Sequence, residues 1–293
     1  MIPQFLVDKL LNEYGKELTN KILDGYSKKR PTTFRVNTIK SSNEKVKYEL
    51  KMRNIEYEES NVIDNAFILK DIKIDELNIY KSGEIYVQSL SSMLPPIVLD
   101  PKEGNDILDM AAAPGGKTTQ IAALTNNKAN ITACELNNIR AERLKYNIEK
   151  QGATSVYIMK TDSRKINDFF SFDKVLLDAP CSGSGTLNIN DVNLNFTEAL
   201  IKKSIKSQKA LLDKALKILK LNHEMVYSTC SILKEENEEV VLEMLKKHNA
   251  EIVPIKLEDV KKLPLLPTTI KGTICLYPNE LYEGFFIAKI IKK

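Results

Sequence analysis

The sequence predicts an α/β protein: a doubly wound, mostly parallel sheet with a closing C-terminal antiparallel hairpin, preceded by a small α+β unit. From Asp106 onward, short apolar runs typical of buried strands alternate with amphipathic helical segments, which is the pattern of repeated βαβ units. The last two apolar runs, at residues 273–277 and 284–290, are rich in β-branched and aromatic residues. A turn separates them, so they predict the hairpin.

The N-terminal part begins with apolar residues at helical spacing, which predict a helix over residues 2–29 that Gly15 interrupts and Pro31 ends. A short strand, a charged helix and two apolar strands are predicted next, at residues 34–38, 43–53, 61–64 and 67–70. We therefore assign residues 1–80 to an N-terminal domain of helices and a small α+β fold, and residues 81–293 to a larger domain.

The larger domain opens with a link at residues 83–88 and a short helix at 89–99. Strands are then predicted at residues 107–110, 130–134, 156–159, 174–177 and 224–228. The helices predicted between and after them cover residues 116–125, 137–151, 197–220 and 235–248.

The composition is that of a globular protein. Its 293 residues, 43% of them hydrophobic, can bury a substantial core. No N-terminal apolar stretch approaches the ~20 residues needed to span a bilayer, so we expect a cytoplasmic protein with no membrane segment. The four cysteines lie far apart and there are only two histidines, so the sequence predicts neither a metal site nor a disulfide framework. A monomer is the default expectation.

The charge of the chain is concentrated rather than large. A net charge of +4 says little about nucleic acid, but lysines crowd the predicted helix at residues 197–220. They are Lys202, Lys203, Lys206, Lys209, Lys214, Lys217 and Lys220. Two interpretations stay open: a solvated helix face, or a patch that faces phosphates.

Two cysteines occupy matching positions just after predicted buried strands. Cys181 lies in the sequence DAPCSG and Cys230 in the sequence YSTCS, and both segments read as tight polar turns. Because the carboxyl ends of parallel strands meet at one edge of a sheet, the two thiols are expected at the ligand-binding edge, where such a pair suits covalent chemistry. A cysteine at a strand end is more often a small buried hydrophobe, and we keep that interpretation for Cys134 and Cys275.

A third segment, DMAAAPGGKT at residues 109–118, follows another predicted strand and opens a helix. In this layout backbone amides can hold a cofactor. Carboxylates stand at or just after the ends of four strands, namely Asp109, Glu135, Asp162 and Asp178. The predicted binding edge is therefore acidic.

S-adenosylmethionine fits this acidic edge, because it is cationic, carries ribose hydroxyls and has no phosphate. On this interpretation the backbone of residues 112–116 approaches the methionine part, Glu135 accepts both ribose hydroxyls and Asp162 receives the adenine amino group. Arg140 would fix the loop, although a surface ion pair is an alternative, as a helix N-cap is for Asp162. The predicted cofactor-binding residues are Ala112, Ala113, Pro114, Gly115, Gly116, Lys117, Glu135, Arg140, Asp162 and Asp178.

The same loop has two alternative interpretations, as a site for a nucleotide triphosphate or for a nicotinamide dinucleotide. Residues 111–118 nearly match the phosphate loop of nucleotide triphosphatases, but Pro114 removes one amide and the nearby carboxylates would repel a polyphosphate. Glu135 also suits a nicotinamide dinucleotide, yet the Gly-x-Gly-x-x-Gly spacing is absent. Lys117 could neutralise a carboxylate, orient the loop, contact RNA phosphate or lie in solvent.

Taken in order, these motifs resemble the RNA cytosine-5 methyltransferases of the Sun/Fmu/Nop group. The resemblance spans nearly the whole chain and includes QSLSS at 88–92, DMAAAPGGKT at 109–118, DAPCSGSG at 178–185, STCS at 228–231 and EGFFIAK at 283–289. It implies a Rossmann-like class I methyltransferase domain, an N-terminal RNA-binding domain, and S-adenosylmethionine as the methyl donor. It also implies methylation of carbon 5 of cytosine in ribosomal or transfer RNA.

The resemblance further implies a role for each thiol. Carbon 5 of cytosine becomes nucleophilic once a thiolate adds to carbon 6, and by resemblance that nucleophile is Cys230. Cys181 resembles the family's second cysteine, which assists release of the product, and Asp178 would hydrogen-bond the base at N3. The base must be unstacked for this reaction, so we expect a looped or opened RNA site.

Two departures from the family pattern motivate a rival hypothesis. No arginine follows Gly185 in residues 186–190, and Cys275-Leu276-Tyr277-Pro278 replaces a usual arginine-led run. Both changes remove positive charge from the expected RNA-facing side. The rival is an RNA-binding assembly factor that keeps the fold and the cofactor pocket with little catalysis.

Overall fold

The computed structural model describes residues 2–70, 73–191, 195–256 and 260–293. The helices are α1 (Gln4–Gly25), α2 (Asn43–Met52), α3 (Asn78–Lys81), α4 (Leu90–Leu99), α5 (Gly116–Leu124), α6 (Asn138–Gln151), α7 (Glu198–Ile218) and α8 (Glu238–His248). The strands are β1 (Thr32–Val36), β2 (Tyr57–Glu59), β3 (Ala66–Leu69), β4 (Ile85–Val87), β5 (Asp106–Asp109), β6 (Asn130–Cys134), β7 (Val156–Met159), β8 (Phe172–Asp178), β9 (Leu219–Thr229), β10 (Ala250–Ile252), β11 (Leu265–Leu266), β12 (Ile274–Leu276) and β13 (Phe285–Lys292).

The larger sheet confirms the predicted doubly wound architecture. Its strand order is β11-β12-β13-β9-β8-β5-β6-β7, and β10 pairs with β13. The strands from β9 to β7 are parallel, whereas β13 runs antiparallel to both β9 and β12, which is the predicted C-terminal hairpin. Because β5 lies between β6 and β8, the winding reverses there, and ligands bind at such a point beyond the carboxyl ends of the strands.

Helices cover both faces of this sheet. Leu108 and Val175 point to the face covered by α1, α7 and α8, while their neighbours Ile107 and Leu176 point to the face covered by α4, α5 and α6. This alternation is the two-residue period of a strand. Burial on both faces explains why these strands read as continuous apolar runs in the sequence.

The smaller sheet is entirely antiparallel, in the order β2-β3-β1-β4. Helix α2 packs on it through Val46 and Leu50, over the stacked rings of Phe34 and Phe67, whose centroids are 5.3 Å apart. Strand β4 reaches past the proposed boundary at residue 80 to complete this sheet. The small unit therefore has a core of its own.

The first helix has the predicted break at Gly15, where φ is 71° and ψ is 173°. Helix α1 packs against the large domain rather than the small sheet, because Leu6 and Leu10 lie in the same apolar cluster as α7. It ends at Gly25, earlier than predicted. A Cβ there would lie 1.8 Å from the carbonyl oxygen of Pro278, so only glycine allows this close approach.

The strand predicted at residues 61–64 is wrong. The hydroxyl of Ser60 accepts hydrogen bonds from the amides of Val62 and Ile63, and the chain turns back through Asn65, whose φ is +61°. A side chain that bonds its own backbone in this way competes with a strand ladder. The strand that pairs with β3 is instead the shorter β2. The short strands β10 and β11 were not predicted.

Arg35 of β1 connects the small sheet to the large domain. Its guanidinium is buried and donates to Gln88 Oε1 at 3.0 Å, to the carbonyl of Gly116 at 3.0 Å and to Thr119 Oγ1 at 2.8 Å. It also lies 5.0 Å from the ring centroid of Tyr86. Burial lowers the pKa of Arg35 to about 10. The small unit thus contacts the N-terminus of α5 through a buried cation.

Replacing Arg35 with Met should lower the free energy of unfolding by about 2–3 kcal/mol, because Gly116 and Gln88 would lose a buried, charge-assisted donor. Arg53→Met is the matched control, since Arg53 makes only an exposed 2.8 Å contact with Glu49 one helical turn away, and it should cost under about 0.5 kcal/mol. Urea denaturation measures both variants. Equal midpoints would contradict the role given to Arg35.

Candidate functional site

The loop between β5 and α5 lies at the carboxyl edge of the large sheet and is held from below by α6. Arg140 Nη2 donates to the carbonyl of Ala113 at 2.8 Å, and Asn147 Nδ2 donates to the carbonyl of Pro114 at 2.8 Å. Gly115 has a φ of +110°, and a Cβ there would lie 3.0 Å from Leu144. The loop therefore needs its glycine, and its path is fixed by two side chains of one helix. Sequence reasoning found Arg140 but missed Asn147.

A cavity of about 530 Å³ opens beside this loop, within the range of small-molecule sites. Its wall includes Ala111, Glu135, Arg140 and Asp162. Glu135 is buried; it accepts the amide of Asn137 at 2.8 Å and lies 3.5 Å from the guanidinium of Arg140. The cavity therefore presents a buried carboxylate beside a cation.

Asp162 is a helix cap, one of the two interpretations that the sequence left open, and it also lines the first cavity. It caps the short 3-10 helix Ser163–Lys165 by accepting the amide of Arg164 at 3.0 Å, and it also faces the cavity. The side chain of Arg164 hydrogen-bonds its carboxylate and lowers the pKa of Asp162. Asp162 therefore stays charged in the wall of the cavity. Glu135 lies in another part of the same wall.

A second cavity, of about 360 Å³, lies on the other side of the loop. Ala111 lines both cavities, so they adjoin at this loop. Of the predicted cofactor residues, Gly115 lines neither cavity and instead faces Leu144 of α6, whereas Glu135, Arg140 and Asp162 line the first cavity. The second is lined by Ala112, Ala113, Pro114, Gly116, Lys117 and Asp178, together with Cys230.

Lys117 and Asp178 form a shielded ion pair in the second cavity. Lys117 Nζ lies 2.7 Å from Asp178 Oδ2 and 2.7 Å from Ser92 Oγ, and its side chain is only 13% exposed. The other oxygen of Asp178 accepts the hydroxyl of Ser228 at 2.8 Å. Of the possible roles of Lys117, the structure shows that it neutralises the carboxylate of Asp178. The serines at positions 92 and 228 were missed as parts of the site.

The two thiols meet at the wall of this cavity. Strands β8 and β9 pair in parallel with Asp178 opposite Ser228, so the loops that follow them run side by side. The Sγ atoms of Cys181 and Cys230 are 2.9 Å apart. The hydrogen bond with Cys230, together with burial, raises the pKa of Cys181 well above its ordinary value. Cys181 therefore stays a thiol and can donate its proton to Cys230.

A buried carboxylate joins the two cysteine loops. Glu236, fully buried, accepts the amide and hydroxyl of Ser182 at 2.8 and 2.5 Å, the hydroxyl of Ser231 at 2.6 Å and the amide of Gln208 at 3.2 Å. Ser182 follows Cys181 and Ser231 follows Cys230, so one side chain sets the position of both thiols. The only trace of this network in the sequence is a glutamate six residues after Cys230, and a glutamate at that spacing is too common to predict a buried carboxylate.

Helix α1 supports the same loops from the opposite side. The hydroxyl of Tyr26 donates to the carbonyl of Ser184, and the hydroxyl of Tyr14 donates to the carbonyl of Ile232. The hydroxyls of Ser184 and Ser231 are 2.8 Å apart. The N-terminal helix therefore belongs to the structure of the thiol site.

Asp109 lies beneath the loop rather than on an exposed acidic rim. It is buried and accepts the hydroxyl of Thr118 at 2.7 Å. Burial raises its pKa to about 6. Its carboxylate ties the end of β5 to the first turn of α5, so it shapes the loop from inside.

The lysines of α7 divide into two groups. Those in its C-terminal half are paired with carboxylates: Lys209 with Glu243, Lys214 with Asp168 and Lys217 with Asp213. Lys220, predicted in this helix, lies in β9 and pairs with Asp173. Lys202, Lys203 and Lys206 have no ion pair within residues 2–70, 73–191, 195–256 and 260–293. The solvated face therefore describes the end of the helix, and its N-terminal half keeps unpaired positive charge.

Among the described residues, no helix is long and apolar enough to cross a membrane. Within the same residues, no group of three or more His, Cys, Asp or Glu side chains is arranged to hold a metal ion.

Comparison with known proteins gives matches along nearly the whole chain. Residues 96–291 match the family model described as 16S rRNA methyltransferase RsmB/F, and residues 2–73 match the ferredoxin-like domain of RsmF/B-like methyltransferases. The chain is 33% identical to "Ribosomal RNA small subunit methyltransferase F" of Shewanella piezotolerans, over 99% of this chain and 64% of that protein. It is 34% identical to the "28S rRNA (cytosine-C(5))-methyltransferase" of Mus musculus, over 98% of this chain and 38% of that protein.

Among solved structures, NSun6 from Pyrococcus horikoshii with SFG superposes with a TM-score of 0.90 at 27% identity. This match covers 99% of this chain and 98% of that one. Against its curated relatives the chain is shorter: it spans 64% and 66% of the first two it matches, less than two thirds of either length.

The Glu236 network makes a first prediction for the site. Glu236→Gln should lower the free energy of unfolding by about 2–3 kcal/mol and speed thiol labelling by Ellman's reagent, because charge-assisted bonds to both loops are lost. Glu235→Gln is the control, since Glu235 forms a partly exposed ion pair with Lys9 at 2.9 Å and does not contact the cysteine loops through any hydrogen bond of the described residues. Equal labelling rates in the two variants would contradict the proposal that Glu236 holds the two cysteine loops in position.

Asp109 makes a second prediction, for pH. Its pKa is higher in the folded state than in the unfolded chain, so the folded protein is stabilised as pH falls from about 6 towards 4 and loses this stabilisation as pH rises. The change between pH 7 and pH 5 is about 1 kcal/mol for this group. Asp109→Asn should remove that part of the slope in urea denaturation at the two pH values. A slope identical to that of the natural chain would contradict it.

Proposed function

This chain belongs to the RsmB/F family of 16S rRNA methyltransferases, and we propose that it transfers a methyl group from S-adenosylmethionine to carbon 5 of a cytosine in ribosomal RNA. The observation that carries the proposal is the pair of thiols 2.9 Å apart, beside an acidic cavity that a single loop separates from them. The names of the relatives support ribosomal RNA and, for the mouse protein, carbon 5 of cytosine.

The first cavity fits the methyl donor. Its buried Glu135 can accept ribose hydroxyls, while Asp162, kept charged by Arg164, can receive the amino group of adenine. The relative solved with SFG, an analogue of this donor, supports the assignment. When bound, S-adenosylmethionine supplies an electrophilic methyl group. The two cavities adjoin at Ala111, where that methyl group would meet the base.

The second cavity would receive the flipped cytosine. We assign Cys230 as the nucleophile because its side chain lines this cavity, beside the Lys117–Asp178 pair. Its sulfur forms a bond to carbon 6, and the electron pair of the 5,6 double bond moves to carbon 5, which can then take the methyl group. Methyl transfer would release S-adenosylhomocysteine. Water that enters the cavity would then take the proton from carbon 5, the electron pair of that C–H bond would restore the double bond, and the sulfur would leave carbon 6 as a thiolate.

Asp178 and Cys181 would support the two halves of this sequence. Asp178 accepts bonds from Lys117 and Ser228 and keeps lone pairs for a protonated N3 of the base. Cys181 carries a proton 2.9 Å from the attacking sulfur, so it can exchange that proton as the sulfur leaves carbon 6. The assembly-factor hypothesis predicts the same fold with no methyl transfer.

The roles of the thiols are tested by trapping the adduct. Cys230→Ala should abolish transfer of radiolabelled methyl groups to ribosomal RNA, by at least about a thousandfold, and leave no covalent complex on a denaturing gel. Cys181→Ala should accumulate that complex, because the sulfur at position 230 adds but is released slowly. Bisulfite sequencing of RNA from cells with and without the gene identifies the cytosine.

Cys275→Ala is the control, because Cys275 is buried and does not line the cavity. This variant should keep the methyl-transfer activity of the natural chain. A complex formed by Cys230→Ala would reverse the two roles. Absence of label in cytosine with every RNA pool would favour the assembly factor.

A further inference from the structure

One exposed ridge of α6 has an unusual composition. Ile139, Arg143, Tyr146 and Lys150 follow one another at spacings of four, three and four residues, so they share one stripe of the helix. Ile139 is 70% exposed and Tyr146 is 62% exposed. Arg143 makes no hydrogen bond or ion pair with the residues that the structure describes. The stripe is therefore apolar, aromatic and basic, with no acid on it.

The acidic residues of the same helix lie on another stripe and are neutralised. Glu142 is 2.5 Å from Lys160, and Glu149 is 4.0 Å from Lys145. The positive charge of the ridge thus has no carboxylate of its own helix to cancel it. An anionic partner would meet Arg143 and Lys150 directly.

A row of aromatic side chains connects this ridge to the second cavity. Lys150 Nζ lies 3.8 Å from the ring centroid of Tyr80 and 5.9 Å from that of Tyr146. From Tyr80 the chain passes through Gly83, which packs against the carbonyl of Lys150, and Ile85, whose carbonyl accepts Gln151 Nε2 at 3.2 Å, to Tyr86. Tyr86 lines the cavity that holds Cys230, and its ring would be 3.0 Å from a Cβ at position 116.

We propose that this ridge, together with Tyr80, binds the single strand of RNA next to the target cytosine, an inference that rests on the proposed function. A strand whose cytosine enters the cavity at Tyr86 can continue along Tyr80 and Lys150 to Tyr146. Arg143 and Lys150 contact its phosphates, and a neighbouring base stacks on the exposed ring of Tyr146. A flipped nucleotide leaves its neighbours unstacked, so an aromatic platform beside the pocket replaces the lost stacking.

The test measures binding of a fluorescein-labelled, 15-nucleotide single-stranded RNA with one cytosine to the full chain. Fluorescence anisotropy of the RNA reports the binding. Tyr146→Ala should weaken binding about tenfold, since stacking of one base contributes ~1–3 kcal/mol. Tyr157→Ala is the matched control, because Tyr157 is 66% exposed but lies on edge strand β7, and it should change binding less than about twofold.

Salt dependence tests the basic side of the ridge. Arg143→Gln should reduce the slope of log affinity against log salt by about 0.7, the value for one phosphate contact with a single strand. Lys145→Gln removes the same charge from the other stripe of α6 and should leave the slope unchanged. Thermal melting confirms that each variant is folded.

Equal affinities for Tyr146→Ala and the natural chain, or equal losses in Tyr146→Ala and Tyr157→Ala, would overturn the inference. Methyl transfer by the natural chain is measured separately. If RNA binds as expected but no cytosine is labelled, the ridge stands and the proposed function fails. If cytosine is labelled and Tyr146→Ala binds normally, the function stands and the ridge is wrong.

Discussion

The buried carboxylate of Glu236 is the interaction on which the geometry of the site depends. The loops after β8 and β9 leave the sheet where ladder hydrogen bonds end, so side chains must hold them together. Glu236 accepts four hydrogen bonds, two from Ser182, one from Ser231 and one from Gln208. A carboxylate without those donors would be too costly to bury. Without the carboxylate the loops would still be joined by the amide of Gly185 and the carbonyl of Cys230, and by the hydroxyls of Ser184 and Ser231, but they would lose the hydrogen bonds to Glu236. The 2.9 Å separation of the two sulfur atoms follows from this arrangement.

The two cavities of the site are likewise formed around a single loop. One loop, placed by Arg140 and Asn147 from α6 and by Asp109 from below, forms a wall of both cavities. The first cavity has Glu135 and the charged Asp162, and the second has the pair of Lys117 with Asp178. A cationic donor and a neutral base would therefore each meet a different electrostatic environment. The distance between them would be set by the backbone at Ala111.

The small N-terminal unit is part of this site rather than an appendage to it. Arg35 places a buried cation against the carbonyl of Gly116 and the side chain of Gln88, both of which belong to the second cavity. From the other side, Tyr14 of α1 and Tyr26, the residue that follows this helix, donate hydrogen bonds to carbonyls of the cysteine loops. The small unit and the N-terminal helix thus contact the same backbone that forms the cavity.

The sequence by itself determined the architecture of the large sheet and the position of the two cysteines after neighbouring strands. Strand and helix periods, the break at Gly15 and the two cysteine turns depend on neighbouring residues, so local patterns reveal them. The local patterns failed at residues 61–64, where Ser60 bonds its own backbone, at the end of α1, and at the short strands β10 and β11. Tertiary structure alone decided that Lys117 pairs with Asp178, 61 residues away, and that Glu236 binds Ser182, 54 residues away. It also decided that α1 packs on the large sheet and that one loop separates two cavities. These contacts join residues far apart in the chain, and many partners of suitable charge or polarity lie within each stretch, so only folding selects among them.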